Sequence, residues 1–445
     1  MRWHGAEDCT MKIIIINVLL FLVAAAGVYA LTMLPLAVIA AVIVCFAAWM
    51  ALTASGRTVA SVTLVGLSTL RDRLGTSSVI ILGMAGVVGV FIALLAMGEG
   101  FRATLQGSGS DETAIVTRSG ALAETSSVLV RSDVDIISHM PGVARDAKGD
   151  ALVSAELTVP VTAHSKGEGE LTNLALRGVD PDAWQMRPRM KIVEGRTFTP
   201  GLYELVVGRS ARARFAGLEP GQQVRLGTNL WTVVGAFESG DAYDSELWGD
   251  RQAVAAIYRR GSSVSSVQVK LDGPQALKML QDALANDPRV TVDAVTTREF
   301  FARQSNSLFQ LTKMIGLVVG TIMGIGALFG ALNCMFAAVE QRAREIGTLR
   351  AIGFQAGSVV ISVMLEAMWL ALIGGAIGAG LAWLIFNGKT ISTLSGFSEL
   401  AFQFKVTPDL MLSGLRWALA IGFIGGLFPA ARAATMPLVA ALRED

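Results

Sequence analysis

Side chains that could do chemistry are few in this chain, and their spacing is poor. His4, His139 and His164 lie far apart, and Cys9, Cys45 and Cys334 form neither a CxxC pair nor a Cys/His pattern able to hold a metal. No GxSxG or HExxH run supplies a nucleophile or a zinc site. A phosphate loop of the form GxxxxGK[ST] is missing as well, because Gly388-Lys389-Thr390 has Trp383 where the first loop glycine belongs. Two acidic features remain. Asp241, Asp244, Glu246 and Asp250, interleaved with Tyr243 and Trp248, read as a solvated loop, with cation or partner binding as the alternative. Glu366 is the one carboxylate inside a long apolar run, where burying a charge is costly; about two turns from the cytoplasmic end, it is expected to make a structural contact with the cytoplasmic segment at 340–353, with proton relay as the alternative.

The elements that must position such residues are mostly membrane spans. Of 445 residues, 52% are hydrophobic and 16% charged, and the mean hydropathy is +0.54, too apolar for an ordinary soluble chain of this length. Residues 99–307 hold 23 Lys/Arg and 26 Asp/Glu of the 37 and 36 in the whole chain, so the middle is soluble-like and the flanks are not. That middle region has no cysteine and cannot contain a disulfide. No basic stripe interleaved with aromatics occurs, which leaves nucleic-acid binding without support.

A crossing helix needs about 20 apolar residues. Residues 13–54 contain no Asp, Glu, Lys, Arg or His, enough for two spans turning near Leu31 to Pro35. Further runs cover about 75–98, 312–339, 358–387 and 411–431. Lys12, Arg57, Arg71 and Arg73 mark the cytoplasmic side, and Arg342, Arg344, Arg350, Arg432 and Arg443 fall on the same side by this count, leaving Lys389 and Lys405 in a short external loop. An alternative takes residues 12–30 as a signal peptide cut after Val28-Tyr29-Ala30, with the remaining topology unchanged.

The expected fold is therefore an α-helical transmembrane protein of about six spans, with a large α+β periplasmic domain inserted between spans 3 and 4. Strands are predicted at 114–116, 127–130, 157–161, 204–207, 223–226, 231–236 and 266–270, and helices at 133–140 and 274–286.

Directly after the fourth run comes Val339-Glu340-Gln341-Arg342-Ala343-Arg344-Glu345-Ile346-Gly347-Thr348-Leu349-Arg350-Ala351-Ile352-Gly353. This stretch resembles the E-R-x-x-E-I-G-x-x-R-A-x-G segment of MacB/FtsX-type ABC permeases, with Gln341 where arginine is usual. Near the end, Gly425-Gly426-Leu427-Phe428-Pro429-Ala430-Ala431-Arg432-Ala433-Ala434, running on to Pro437 and Arg443, is similar to the closing pattern of that family. Met97-Gly98-Glu99-Gly100-Phe101-Arg102 and Gly374-Gly375-Ala376-Ile377-Gly378 match in the same order.

The resemblance implies four segments. These are an N-terminal transmembrane hairpin (1–56) that departs from the family order, an amphipathic helix leading into span 3 (57–98), a MacB-like periplasmic domain (99–307), and an FtsX-like permease domain (308–445). It also implies mechanotransmission. A separate cytoplasmic ABC ATPase subunit would bind ATP and Mg, this chain binding no cofactor and catalysing nothing. Its stroke would move the spans and the external domain for export, extraction or lipoprotein and lipid handover. A second permease copy, with Gly316 to Gly330 and Gly374 to Gly380 allowing close approach, and a periplasmic adaptor or acceptor are the other expected partners. The location implied is the bacterial inner membrane, with both termini cytoplasmic.

On a helix, Arg342, Glu345, Ile346, Leu349 and Arg350 share one face. Ile346 and Leu349 would then enter an ATPase groove, with Glu340, Gly347 and the charged residues setting register and Gly353 ending the helix. A rival reading makes the arginines topology signals only. Asn333 is expected to be interhelical glue. A membrane receptor or scaffold that signals without ATP is the alternative function.

Overall fold

In the computed structural model, which describes residues 20–68, 74–166, 170–395 and 398–435, the uncharged N-terminal stretch breaks at Pro35. Helix α1 (Leu20–Met33) precedes the break and α2 (Leu36–Leu52) follows it. Thr53 is extended and turns its hydroxyl back onto the Trp49 carbonyl at 2.8 Å, and α3 (Ala54–Ser68) leaves α2 at a bend of 99°. Among the described residues, neither α1 nor α2 alone has the 20 or so residues a span needs. Residues 13–19, His4, Cys9, Lys12, Arg71, Arg73, Pro437 and Arg443 lie outside the described residues.

Helix α4 (Leu74–Gly107) leads into an α/β unit made of Met97–Leu311 together with Gly388–Lys405. Its elements in order are β1 (Thr113–Arg118), α5 (Arg131–Ser138), β2 (Val153–His164), β3 (Leu171–Val179), α6 (Ala183–Met186), β4 (Lys191–Gly195), β5 (Glu204–Gly208) and α7 (Arg209–Arg214). There follow β6 (Gln223–Leu226), β7 (Asn229–Glu238), β8 (Glu246–Asp250), α8 (Arg251–Ile257), β9 (Ser266–Lys270), α9 (Ala276–Asn286) and β10 (Val292–Thr296). The strands run β10-β1-β9-β2-β3-β8-β5-β7-β4, with β6 on β7; β3–β8 and β5–β7 are parallel and the other pairs antiparallel.

Strand β2 belongs to two halves of this sheet. Val153 to Glu156 pair with β9, whereas Leu157 to His164 pair with β3. One half buries Val116, Val267, Val269, Leu280 and Leu284 beneath α9, and the other buries Leu157, Leu174, Leu176, Leu205, Trp231 and Val254. At these burials each large apolar side chain contributes roughly 1.5–3 kcal/mol.

The predicted strand at 127–130 is instead a single bridge between Leu129 and Val264, flanked by irregular chain. The acidic run is not a solvated loop either. Asp241 accepts the Tyr243 N–H at the start of a short 3₁₀ turn, and Asp250 caps α8 by accepting the Ala253 N–H at 2.9 Å. Asp244 is buried against the Ser239 and Gly240 N–H groups, and Glu246 pairs with Arg177. Local hydrogen bonding to backbone thus uses most of the charge that the sequence offered to a cation.

Where β2, β3 and β8 meet, Arg177 is 2% exposed and holds three carboxylates. Its Nη2 lies 2.8 Å from Glu124, its Nη1 2.9 Å from Glu156 and its Nε 2.7 Å from Glu246. Arg187 clasps both oxygens of Glu156 at 2.8 and 2.9 Å. Burial pushes the Glu124 carboxyl up, but the Arg177 guanidinium outweighs it and holds the group below its usual value.

The remaining helices are α10 (Thr297–Gln341), α11 (Ala343–Ala351), α12 (Ala356–Phe386) and α13 (Pro408–Thr435). Among the described residues, α4, α10, α12 and α13 are long and apolar enough to cross a membrane, or five spans with the bent pair α2–α3 counted as one, against about six from hydropathy. Between α12 and α13, the expected loop is a hairpin of β11 (Thr390–Ser395) and β12 (Ser398–Gln403) that joins the α/β unit. Phe402 packs edge-on to Phe101 there, and the Ala401 N–H donates to Ser245 Oγ at 3.0 Å.

Within the helical unit, glycines set how closely α12 packs. A Cβ on Gly374 would stand 2.7 Å from the Ile81 carbonyl oxygen, and one on Gly426 would stand 2.7 Å from Ala367 Cβ. The Gly374 to Gly378 run, expected at a contact between copies, is therefore used inside the chain against α4.

Candidate functional site

Helix α10 ends at Gln341 because Arg342 leaves helical geometry, with φ −102° and ψ 10°, and its N–H bonds the Val339 carbonyl in a tightened last turn. The Arg342 side chain runs inward. Nη1 lies 2.9 Å from Glu366 Oε2 on α12 and Nε lies 3.2 Å from Glu345 Oε2. The Arg342 and Glu366 side chains are 10% and 6% exposed, whereas Glu345 is 52% exposed. Gly66 of α3 closes over the pair, since a Cβ there would stand 3.4 Å from both guanidinium nitrogens and from Glu366 Oε2. One ion pair thus ties the α10–α11 junction to α12, with α3 packed closely over it at Gly66.

The face that the sequence offered for docking is divided. Arg342 and Ile346 point into the chain, Ile346 joining Val339, Val359, Val363, Ala430 and Ala433 in a buried cluster. Ile346 is 6% exposed and so is not available to a groove on another protein, because the helix break rotates that face onto α12 and α13. Gly347 is buried beside it. Leu349 and Arg350 are half-buried, and Arg344 and Thr348 are exposed. Gly353 has φ +109°, the left-handed value that lets the Phe354 and Gly353 N–H groups return to the Leu349 and Arg350 carbonyls and end α11. Ile352, which the sequence reading left without a role, is 72% exposed at this turn, beside a hollow of about 310 Å³ lined by Ala54, Ser55 and Thr58 of α3.

Glu340 and Arg432 come together at 3.3 Å on the surface, with the Arg432 guanidinium over the Phe336 ring, and Pro429 is buried within α13. Asn333 is exposed on α10 and makes no interhelical hydrogen bond among the described residues, so it is not glue within this chain. It continues a stripe of exposed residues, Ile322, Ile325, Gly326, Phe329 and Gly330, at helical spacing. Sequence reasoning also passed over Arg416, a cation inside the apolar α13 whose buried Nε has no hydrogen-bond partner among the described residues. One arginine in an otherwise uncharged run was the available signal.

Residues 77–287 match the family described as MacB-like periplasmic core domain, and residues 317–438 match the FtsX-like permease C-terminal family. The chain is 26% identical over 394 residues to the macrolide export ATP-binding/permease protein MacB 1 of Aeromonas hydrophila, covering 82% of this chain and 57% of that protein. It is 24% identical over 400 residues to the ABC transporter permease YknZ of Bacillus subtilis, covering 82% of this chain and 95% of that one. The crystal structure of the periplasmic region of MacB from Actinobacillus actinomycetemcomitans aligns at 17% identity and a TM-score of 0.34, covering 43% of this chain and 91% of that one.

Proposed function

This chain is a MacB/FtsX-like ABC permease, a multi-pass membrane protein with a periplasmic domain between its early and later helices, and we propose that it converts ATP hydrolysis by a separate cytoplasmic ABC ATPase into movement of that domain. ATP and Mg belong to the partner in this reading. One feature supports a separate ATPase: the relative matched over 95% of its own length is named a permease. The excess of Arg and Lys near Arg342, Arg344, Arg350 and Arg432 supports a cytoplasmic position for that side, in a bacterial inner membrane under this reading. The movement serves export, extraction or lipid handover on the far side, with a periplasmic adaptor or acceptor as a further partner.

The observation that carries the proposal is the turn ending α11. It exposes Ile352 and part of Leu349 beside the hollow along α3, while its opposite face is anchored by Arg342 and Ile346. A push on the turn is therefore transmitted to α12 through Glu366. Helices α4 and α10 are each shared by the two units, which gives the push a route to the periplasmic domain. Leu349→Asp and Ile352→Asp should each reduce co-purification of the ATPase about tenfold or more, because a charge would be desolvated in a docked apolar contact. Insertion should stay at the wild-type level in both variants, and Ile352→Asp should keep the wild-type melting temperature because that side chain is exposed. Full retention of the ATPase by both variants would remove the turn from the docking surface.

A second permease copy is proposed against the outward stripe of α10. Gly326 and Gly330 are four residues apart with nothing within 4 Å of their Cβ positions, and Asn333 extends the stripe with a polar group that lipid does not satisfy. Gly330→Leu should weaken the dimer in detergent, and Asn333→Cys should cross-link between copies under mild oxidation. A dimer that Gly330→Leu leaves intact, together with an uncrosslinked Asn333→Cys, would move the contact to another helix.

A further inference from the structure

We propose that the periplasmic domain binds a phosphate-type oxyanion in a cavity of about 160 Å³ walled by the α4–β1 connection, β9 and residues 186–190. Four cations line this cavity, Arg187, Arg189, Lys270 and Arg298, against two carboxylates, Glu112 and Asp241. The charges are not all spent on one another. Asp241 is occupied by the Ser239 hydroxyl at 2.6 Å and the Tyr243 N–H at 3.0 Å, and Arg298 shares its charge with Asp111 at 2.9 Å. Arg189 and Lys270 make no ion pair among the described residues.

The second observation is Arg187 itself. Its side chain is 9% exposed and fixed, with Nη2 on both oxygens of Glu156 and the guanidinium over the Tyr243 and Trp248 rings at 4.8 and 5.0 Å. Yet its buried Nε–H has no acceptor among the described residues. Buried donors are nearly always satisfied, and an unsatisfied one on a side chain that lines a cationic cavity points to an acceptor bound beside it. The facing wall is held in place by a close approach: a Cβ on Gly109 would stand 2.6 Å from the Arg298 nitrogen, so only glycine lets the Ser108 to Ser110 chain press against the start of α10. Two unpaired cations and a fixed guanidinium suit a doubly charged tetrahedral anion, which accepts from several directions at once, better than a single carboxylate. The phosphate comes either from a soluble phosphomonoester or from a phosphomonoester lipid headgroup, as in phosphatidic acid. The site stands whether or not an ATPase docks on α11.

The test uses the full chain in dodecyl maltoside, titrated calorimetrically with inorganic phosphate at constant ionic strength. Saturable binding is expected. It should weaken about tenfold or more in Arg189→Glu/Lys270→Glu, whose melting temperature without phosphate should match the wild type because neither side chain sits in a core. Arg187→Lys, which keeps a positive charge for Glu156 but removes the Nε–H, should also bind more weakly. Repeating the titration in nanodiscs separates the sources. Weaker apparent phosphate binding in nanodiscs containing phosphatidic acid than in phosphatidylcholine alone identifies a headgroup ligand, and equal binding in both identifies a soluble one. Wild-type protein without saturable phosphate binding, or a charge-reversed double variant that binds as tightly, would overturn the proposal.

Discussion

Replacing Arg177 with methionine should destabilise the periplasmic domain by about 3–5 kcal/mol at neutral pH, the range for leaving buried charges without their partner. The substitution keeps side-chain bulk but strands Glu124 and Glu246 and leaves Glu156 with Arg187 alone. Hydrogen exchange on the full chain in detergent should show earlier opening of β2, β3 and β8 while α12 and α13 keep wild-type protection. The effect must also depend on pH in one direction. In the wild type the Glu124 pKa is lowered from 4.5, so its contribution is complete above about pH 4.5 and is lost as the pH falls further. In the variant, burial without a cation raises the same group, and acid then relieves the penalty by neutralising it. The stability gap between the two proteins should shrink from pH 7 towards pH 4. A variant as stable as wild type at pH 7, or a gap that does not change with pH, would show that the cluster is not held by charge.

Much of the periplasmic domain was legible, and the reasons are local. Strands β6 and β9 were read to the residue because glycine or serine clusters bound a short run of β-branched and alternating residues on each side. Strand β3 was not read. Leu171 to Val179 has three leucines, which carry no strong strand preference, and its state comes from β2 on one side and β8 on the other. The β11–β12 hairpin escaped for a similar reason, since a polar serine- and threonine-rich segment between two spans looks like any short connection until Phe402 finds its core.

The functional contacts were harder to see. Arg177 reaches Glu124 across 53 residues and Glu246 across 69, and Arg342 reaches Glu366 across 24. No spacing rule for helices or strands covers such distances; the expected contact of Glu366 with the 340–353 segment is present, but nothing in the sequence singles out Arg342 as the residue that makes it. Ile346 shows the opposite failure. Its helical spacing with Leu349 was real, but periodicity alone does not say whether an apolar face turns towards the chain or away from it.

The Arg342–Glu366 pair should behave as a unit in a double-mutant cycle. Arg342→Leu leaves the Glu366 carboxylate buried among α3 and α12, and Glu366→Leu leaves the guanidinium in the same place, so each single change should cost about 3–5 kcal/mol in detergent unfolding. The double variant removes both charges and fills the space with apolar volume. It should be much closer to wild type than the sum of the singles, since residues in direct contact are not additive. Stability and coupling then separate. The double variant should insert and dimerise normally, yet lose ATPase-driven movement of the periplasmic domain, because apolar side chains slide where a bidirectional ion pair under Gly66 holds register. The reversed pair, Arg342→Glu with Glu366→Arg, should recover part of the coupling that the double leucine variant lacks, because it restores a charged tie between the same two helices. Additive single effects would mean that the two side chains do not share their energy. A double leucine variant with full coupling would mean that the push from α11 reaches α12 through the apolar cluster around Ile346 instead.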